Sequence, residues 1–334
     1  MSVPLIFVVA IILFVAEILY FKLANRMNII DKPNHRSSHT AITIRGGGII
    51  FTFSVLLVPV FSEFHYYYFL AGLLIISVVS FLDDVNPLSS KVRILFQLVA
   101  VGLLLYQLSN MALPIYLTLC LAIGIIGVIN AVNFMDGING ITGAYALITL
   151  SSLWYINTFV IEFTINYLII TAIIGVVVFN YFNFRPRALC FAGDVGSVSI
   201  AFIIIFLIGQ LIFKSSDWIY ILLLLIYGLD TSTTMIFRIL RKENILEPHR
   251  SHFYQFLANE KKKSHLFVAS SYSIAQMLIN VFCRYFFTPL SLSLIFLPSG
   301  RRLHIRRFAV LYRRKDKTLM RLKFQIKFIH TFTA

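Results

Sequence analysis

Charged residues are scarce in this chain of 334 residues: they make up 13% of it, whereas apolar residues make up 59%. A soluble domain of this size does not need so much apolar surface. Runs of about 18 or more apolar residues cross a bilayer as helices, because a helix satisfies its own backbone hydrogen bonds. The composition therefore excludes an ordinary water-soluble protein and predicts an all-α, polytopic integral membrane protein.

Cysteines are also few. Cys120, Cys190 and Cys283 lie far apart, so they predict neither a disulfide framework nor a metal site. The formal net charge of +15 is typical of basic loops that face anionic lipid, and we predict a membrane-lipid partner and no nucleic-acid partner. The first apolar run, residues 3–21, lacks a basic n-region and a small-residue cleavage site, which favours a retained helix over a signal peptide.

The apolar runs predict about ten transmembrane helices. Lysine and arginine concentrate in alternate connections, which the positive-inside rule places in the cytoplasm, with the N-terminus outside. We assign residues 1–287 to a transmembrane domain and 288–334 to a basic C-terminal tail whose structure the sequence does not specify. The predicted spans are residues 3–21, 47–61, 67–82, 94–108, 113–129, 141–160, 167–181, 199–213, 218–237 and 266–287.

Three short polar segments, which we call the acidic segments, lie at the ends of apolar runs on this cytoplasmic face. In the first, Asp83 and Asp84 are adjacent, and two neighbouring carboxylates repel each other unless a cation or proton lies between them. Mg²⁺ usually combines one or two carboxylates with substrate phosphates, so the pair favours a metal site. The alternative is a capping or loop acid for the helix after Pro87.

The second acidic segment, residues 133–140, contains Asn133, Asp136 and Gly137, and the third contains Asp194 among glycines. Asn133 and Asp136 could hydrogen-bond a base or ribose, although a turn between two spans accounts for them equally well. A glycine-containing turn at a helix N-terminus offers N–H groups to a phosphate, whereas Asp194 taken alone is typical of a helix cap.

Basic residues supply partners for phosphate. His249, Arg250 and His252 lie in the longest predicted cytoplasmic loop, where they could bind a diphosphate or exchange protons. Zinc is a competing interpretation, but no further Cys or His lies at ligand spacing. Glu17, inside the first span, is expected to face the helix bundle without a catalytic role. A second group that could hold phosphate, or simply obey the positive-inside rule beside a glycine cluster, is Lys32, Arg36 and Arg45.

Taken in order from Asp31 to Asn259, these segments resemble the polyprenyl-phosphate N-acetylhexosamine-1-phosphate transferases of glycosyltransferase family 4. That family includes initiators of O-antigen, teichoic acid and capsule synthesis, and phospho-N-acetylmuramoyl-pentapeptide transferase is a relative. The resemblance implies metal ligands at Asp194, Asp83 and Asp84, and a nucleotide-binding segment at Asn133 and Asp136. It also implies catalytic roles for Asp83 and Asp84, and catalytic or phosphate-binding roles for His249, Arg250 and His252.

The chain departs from the family pattern at Asn139, where a second aspartate is usual, and at Ile42 and Ile44, where prolines are usual. The segment after Arg284 does not resemble the family's last helices.

The resemblance implies that a polyprenyl phosphate attacks a UDP-N-acetylhexosamine, which releases UMP and forms a lipid-diphosphate sugar. It implies Mg²⁺, with Mn²⁺ as a substitute, a bacterial inner membrane with the site facing the cytoplasm, and allows a homodimer. Transfer of this kind needs alignment and charge neutralisation more than covalent chemistry. Two alternatives remain open: an ion-coupled transporter that uses intramembrane aspartates, and an inactive membrane scaffold. The sequence does not name the sugar.

Overall fold

The structure is a computed structural model that describes residues 1–31, 42–109, 113–244 and 250–286, with the backbone alone for residues 283–286. It is almost entirely helical. The helices, in chain order, are α1 (Val3–Arg26), α2 (Ile49–Leu56), α3 (Val58–Phe61), α4 (Tyr67–Val85), α5 (Ser90–Ser109), α6 (Ile115–Met135), α7 (Ile141–Phe159), α8 (Asn166–Asn183), α9 (Gly193–Ser215), α10 (Leu225–Leu240), α11 (Phe253–Gln255) and α12 (His265–Phe286).

Irregular helix and a small sheet complete the fold. A 3₁₀ helix, Trp218–Leu224, leads into α10, and a π-helical turn, Phe256–Glu260, follows α11. Strands β1 (Ile30–Asp31) and β2 (Thr43–Ile44) form one antiparallel pair. This pair was not predicted, because two-residue strands leave no periodicity in a sequence.

Each of the ten predicted spans coincides with helix in the described residues. Eight helical segments there are long and apolar enough to cross a membrane, Ile49–Phe61 is a shorter apolar helix, and α7 has 19 residues. The prediction of an all-α, multi-pass membrane protein is therefore confirmed. The boundary predicted at residues 287 and 288 stays a prediction, because residues 287–334 lie outside the described part.

Three helices extend beyond their predicted spans and carry the acidic segments. Helix α4 continues to Val85, α6 to Met135, and α9 begins at Gly193 rather than near residue 199. The predicted spans ended where apolar residues ended. The helices continue because their polar side chains find partners within the bundle, so a polar side chain does not have to end a helix there.

Helix α9 lies at the centre of the bundle. It contacts α2, α4, α5, α6 and α7, and almost all of its residues from Val195 to Ile212 are buried. Where α2 and α9 begin, the backbones of Gly48 and Gly196 touch, so that a Cβ on either residue would collide with the other. Small residues allow such close approach of membrane helices. This contact brings the start of α2 and the start of α9 to one place.

Candidate functional site

Asp84 joins the end of α4 to the start of α9. Its two carboxylate oxygens accept hydrogen bonds from the backbone N–H groups of Asp194 and Val195, both at 2.9 Å. The side chain is fully buried. The first N–H groups of a helix have no partner within the helix, and the helix dipole favours a negative charge there. Asp84 therefore caps α9 although it lies 110 residues away in the sequence.

Arg45 binds the same carboxylate. Its Nε lies 2.6 Å from Oδ1 of Asp84, and one terminal nitrogen lies 3.6 Å from Oδ1 of Asp194. Burial alone would lower the pKa of the guanidinium, but the neighbouring carboxylates, Asp84 foremost, outweigh it and raise that pKa. The Tyr20 hydroxyl of α1 donates to the Arg45 carbonyl at 2.6 Å. Arg45, predicted as a phosphate ligand, is here a fixed cation among the acids, with about a third of its side chain exposed.

Asp83 is held by a second arginine. One oxygen accepts a hydrogen bond from the Leu88 N–H at 2.6 Å, and the other lies 3.0 Å from Arg93. Arg93 also lies 3.5 Å from Asp194. The Leu88 contact matches the alternative that one acid of the pair serves the connection around Pro87. Sequence reasoning treated Arg93 only as topological charge. Its one signal was its position in the first turn of the helix that follows Asp83.

Three carboxylates, those of Asp83, Asp84 and Asp194, thus converge between two arginines. The carboxyl groups of Asp83 and Asp194 lie close enough to share a hydrogen bond, an arrangement that needs a proton or a cation. Among the described residues, no group of three or more His, Cys, Asp or Glu side chains has the geometry to hold a metal. Asp84 is fully buried, whereas the side chains of Asp83 and Asp194 are 7% and 19% exposed, so these two carboxylates are the ones that could hold Mg²⁺ together with a phosphate.

The second acidic segment borders this cluster. Asn133 and Asp194 line one small cavity together with Arg93. Asp136 follows the last residue of α6, and one of its oxygens accepts a 2.6 Å hydrogen bond from Thr142. The residue is partly exposed, but protein surrounds its carboxyl group, and this burial raises the pKa of Asp136 to about 6 despite the Thr142 hydrogen bond.

Neighbouring polar residues in this region hold the backbone. The Asn139 amide donates to the carbonyls of Arg185 and Pro186, which ties the turn to the connection before α9. Glu17 is buried against Cys190, with 3.8 Å between Sγ and Oε1, so it faces the bundle as expected.

The basic loop reaches the second acidic segment. His252 is buried, and its Nδ1 lies 3.3 Å from Asp230 of α10. The Tyr254 hydroxyl donates to the Phe134 carbonyl at 2.9 Å. His252 therefore has a positioning contact, and its catalytic role stays a prediction. Arg250 is exposed at the edge of the same loop. Three other predicted residues, Lys32, Arg36 and His249, lie outside the described residues.

The site lies at helix ends. Asp83 and Asp84 are in the last turn of α4, and Asp194 is in the first turn of α9. A transporter of the predicted alternative type would place its coupling carboxylates near the bilayer midplane. This geometry favours chemistry at a membrane surface, where a lipid headgroup and a soluble donor can meet.

Comparison with known proteins agrees with the motifs. Residues 66–212 match the family model described as glycosyl transferase family 4. This range contains all three acidic segments. A curated relative from Bacillus subtilis (strain 168), named "Probable undecaprenyl-phosphate N-acetylglucosaminyl 1-phosphate transferase", is 28% identical over 261 residues, which cover 71% of each chain.

Proposed function

We propose that this chain is a member of glycosyl transferase family 4, whose model matches residues 66–212, and that it transfers N-acetylhexosamine-1-phosphate from a UDP-sugar to a polyprenyl phosphate and releases UMP. The family match and the curated relative support the enzyme class, a membrane-bound glycosyl transferase. The UDP donor, the release of UMP, and a role in starting cell-envelope polysaccharide synthesis are our proposal. The observation that carries it is the convergence of Asp83, Asp84 and Asp194 between Arg45 and Arg93.

In this proposal Asp83 and Asp194 would hold Mg²⁺, and the bound ion would supply positive charge to neutralise the donor diphosphate. Arg93 is well placed to take up further phosphate charge, because it is 40% exposed and already spans both aspartates. Transfer of a phosphoryl group depends on alignment and on electrostatic stabilisation of the charge that develops on its oxygens. Asn133 borders the same cavity and would orient the donor.

No strong base is needed at this site. A phosphate monoester has a second pKa of about 6, so the acceptor is mostly dianionic at neutral pH. The Asp84 carboxylate accepts two backbone hydrogen bonds from the start of α9 and forms a salt bridge with Arg45, so both of its oxygens already have partners. We therefore assign Asp84 to fixing the start of α9 and the position of Asp194, and not to proton abstraction.

A short segment of the acceptor's hydrocarbon tail would lie in an apolar cavity that is farther along α9. The cavity has a volume of about 260 Å³ and is lined by α5, α6, α9 and the 3₁₀ helix. A Cβ at Gly124 would meet nothing within 4 Å, which shows that the missing side chain leaves open space there. Asp194, Val198, Ile205 and Ile212 recur at helical spacing along the intervening face of α9, so this face leads from the acids to the cavity.

We propose that this site faces the cytoplasm of a bacterial inner membrane, with the N-terminus outside. Arg45 and Arg93 at the site obey the positive-inside rule in that orientation. A single cysteine introduced at Lys262, which is exposed in the same connection between α10 and α12, tests it in an active variant without the natural cysteines. Labelling of intact cells by a membrane-impermeant thiol reagent would contradict the orientation, and labelling only after lysis would support it.

The activity test uses membranes that contain the full chain, labelled UDP-N-acetylhexosamines, undecaprenyl phosphate and Mg²⁺. We expect UMP release and a labelled lipid, both abolished by a chelator and by Asp194→Asn. Asp217→Asn is the matched control, because Asp217 caps the 3₁₀ helix after the other end of α9. A folded wild type that makes no labelled lipid from any such donor would refute the proposal.

A further inference from the structure

A buried carboxylate outside the acid cluster interrupts an apolar helix. Asp230 lies in α10, ten residues before the helix ends at Leu240, or about 15 Å along the axis. Its side chain is 4% exposed. A carboxylate in the interior of a membrane protein is costly and is kept where it has partners and a function. The proposed reaction gives Asp230 no role, so its contacts call for an explanation.

Asp230 is surrounded by donors. Oδ1 accepts a hydrogen bond from the Phe253 N–H at 3.0 Å and faces His252 Nδ1 at 3.3 Å. Oδ2 accepts from the Tyr254 N–H at 3.1 Å and from the Tyr272 hydroxyl of α12 at 2.6 Å. Three consecutive loop residues are therefore bound to one carboxylate. The loop has to turn back into the bundle to reach it.

The held segment ends on the second acidic segment. The Tyr254 hydroxyl donates to the Phe134 carbonyl, and its ring packs on Gly137 so closely that a Cβ there would collide with it. Tyr254 is fully buried. Asp136 lies between Phe134 and Gly137. A path of direct contacts thus runs from Asp230 through Tyr254 to the turn that carries Asp136.

We infer that Asp230 is a positioning residue that fixes the loop residues Arg250 to Tyr254 against the Phe134–Gly137 turn, so that the loop's basic side chains face the bound donor. The inference rests on the proposed function. Tyr272 assists by holding the carboxylate from α12. A group fixed in this way reaches the transition state without an ordering cost, and small misplacement of such groups costs on the order of a hundredfold in rate.

The test is Asp230→Asn in the full chain. An amide keeps one acceptor oxygen and turns an N–H₂ group toward the donors, so either the Phe253 or the Tyr254 N–H loses its partner. We expect faster amide hydrogen exchange in residues 250–257, a kcat lower by about tenfold or more, a higher KM for the donor, and a KM for polyprenyl phosphate within about twofold of wild type.

Gln276→Leu is the matched control. Gln276 also joins α12 to the α10 segment, through the Leu222 carbonyl and the Ile226 N–H, but it does not touch the loop. We expect it to leave loop exchange and the donor KM unchanged. If Asp230→Asn does not fold, Tyr272→Phe removes one donor to the same carboxylate and should shift both readouts in the same direction by a smaller amount.

Three results would overturn the inference: unchanged exchange in residues 250–257, full activity with a loosened loop, or the same donor-KM change in Gln276→Leu. Hydrogen exchange needs no turnover. If the wild type proves inactive with every UDP-sugar, the proposed function fails separately, and exchange still decides whether Asp230 holds the loop.

Discussion

Replacing Asp84 by asparagine tests whether this member of the acid cluster stabilises the fold, as distinct from taking part in the reaction. Asp84 is the fully buried carboxylate that caps α9 through the N–H groups of Asp194 and Val195 and binds Arg45 at 2.6 Å. Asparagine has nearly the same shape, but it is neutral and keeps only one acceptor oxygen. One N–H at the start of α9 then loses its acceptor, and Arg45 loses its nearest anion.

The structure sets the size of the effect. A hydrogen bond to a charged group contributes about 1.5–3 kcal/mol, and loss of a helix cap costs about 0.5–2 kcal/mol. The ion pair adds little, because about a third of Arg45 is exposed and solvent screens it. Because the lost cap is that same hydrogen bond, the two values are not added, and we expect Asp84→Asn to lower the free energy of unfolding by about 1.5–3 kcal/mol.

The assay is thermal unfolding of the detergent-solubilised protein, followed as the fraction that stays monodisperse after heating. Asp194→Asn is the matched control, since its carboxylate is 19% exposed and crowds Asp83. Neutralising it should leave stability unchanged or raise it, because one of three repelling charges is removed. Both variants should lose activity. Equal thermal stability of the two variants would refute the capping role of Asp84.

Three further predictions concern the acceptor cavity, the second arginine and pH. Gly124→Leu should raise the KM for a long-chain acceptor by roughly tenfold, while Gly228→Leu, which also meets open space but lies on α10 outside the cavity lining, should not; equal effects would contradict the tail site. Arg93→Gln should lower kcat by on the order of a hundredfold with unchanged expression, as measured by UMP release. The pKa of Asp136 is raised from 3.8 to about 6, which means that the folded protein prefers the neutral acid. The stabilisation that this preference gives the folded state is complete below pH 3.8 and is lost as the pH rises through 6. Asp136→Asn should therefore exceed wild type in thermal stability above pH 6 and match it near pH 4.

Much of the fold could be predicted from the sequence because lipid imposes one rule on every span. Apolar runs must form helices, and each predicted span is helical. The ends were less predictable. Helix α9 begins at Gly193, several residues before its predicted start, because Asp84 satisfies its first amides from another helix. Local sequence shows no such partner.

The acid cluster and Arg45 were predictable from the sequence, but Arg93 was not. Asp83, Asp84 and Asp194 stood out because carboxylates are rare beside apolar runs. Arg93 did not, because arginine is the ordinary residue of a cytoplasmic connection. Asp230 was missed for another reason: it is a lone acid within a predicted span, and its partners follow more than twenty residues later. Only tertiary contact reveals either one.

The glycine contact between α2 and α9 has a consequence for how much of the chain is required. Gly48 follows Arg45 by three residues, and both precede the family-matched region, which starts at residue 66. A fragment limited to residues 66–212 would expose the bare backbone of Gly196 and leave Asp84 without its guanidinium. The segment from Arg45 to Gly48 is thus a structural part of the acid cluster, and minimal versions of the protein must retain it.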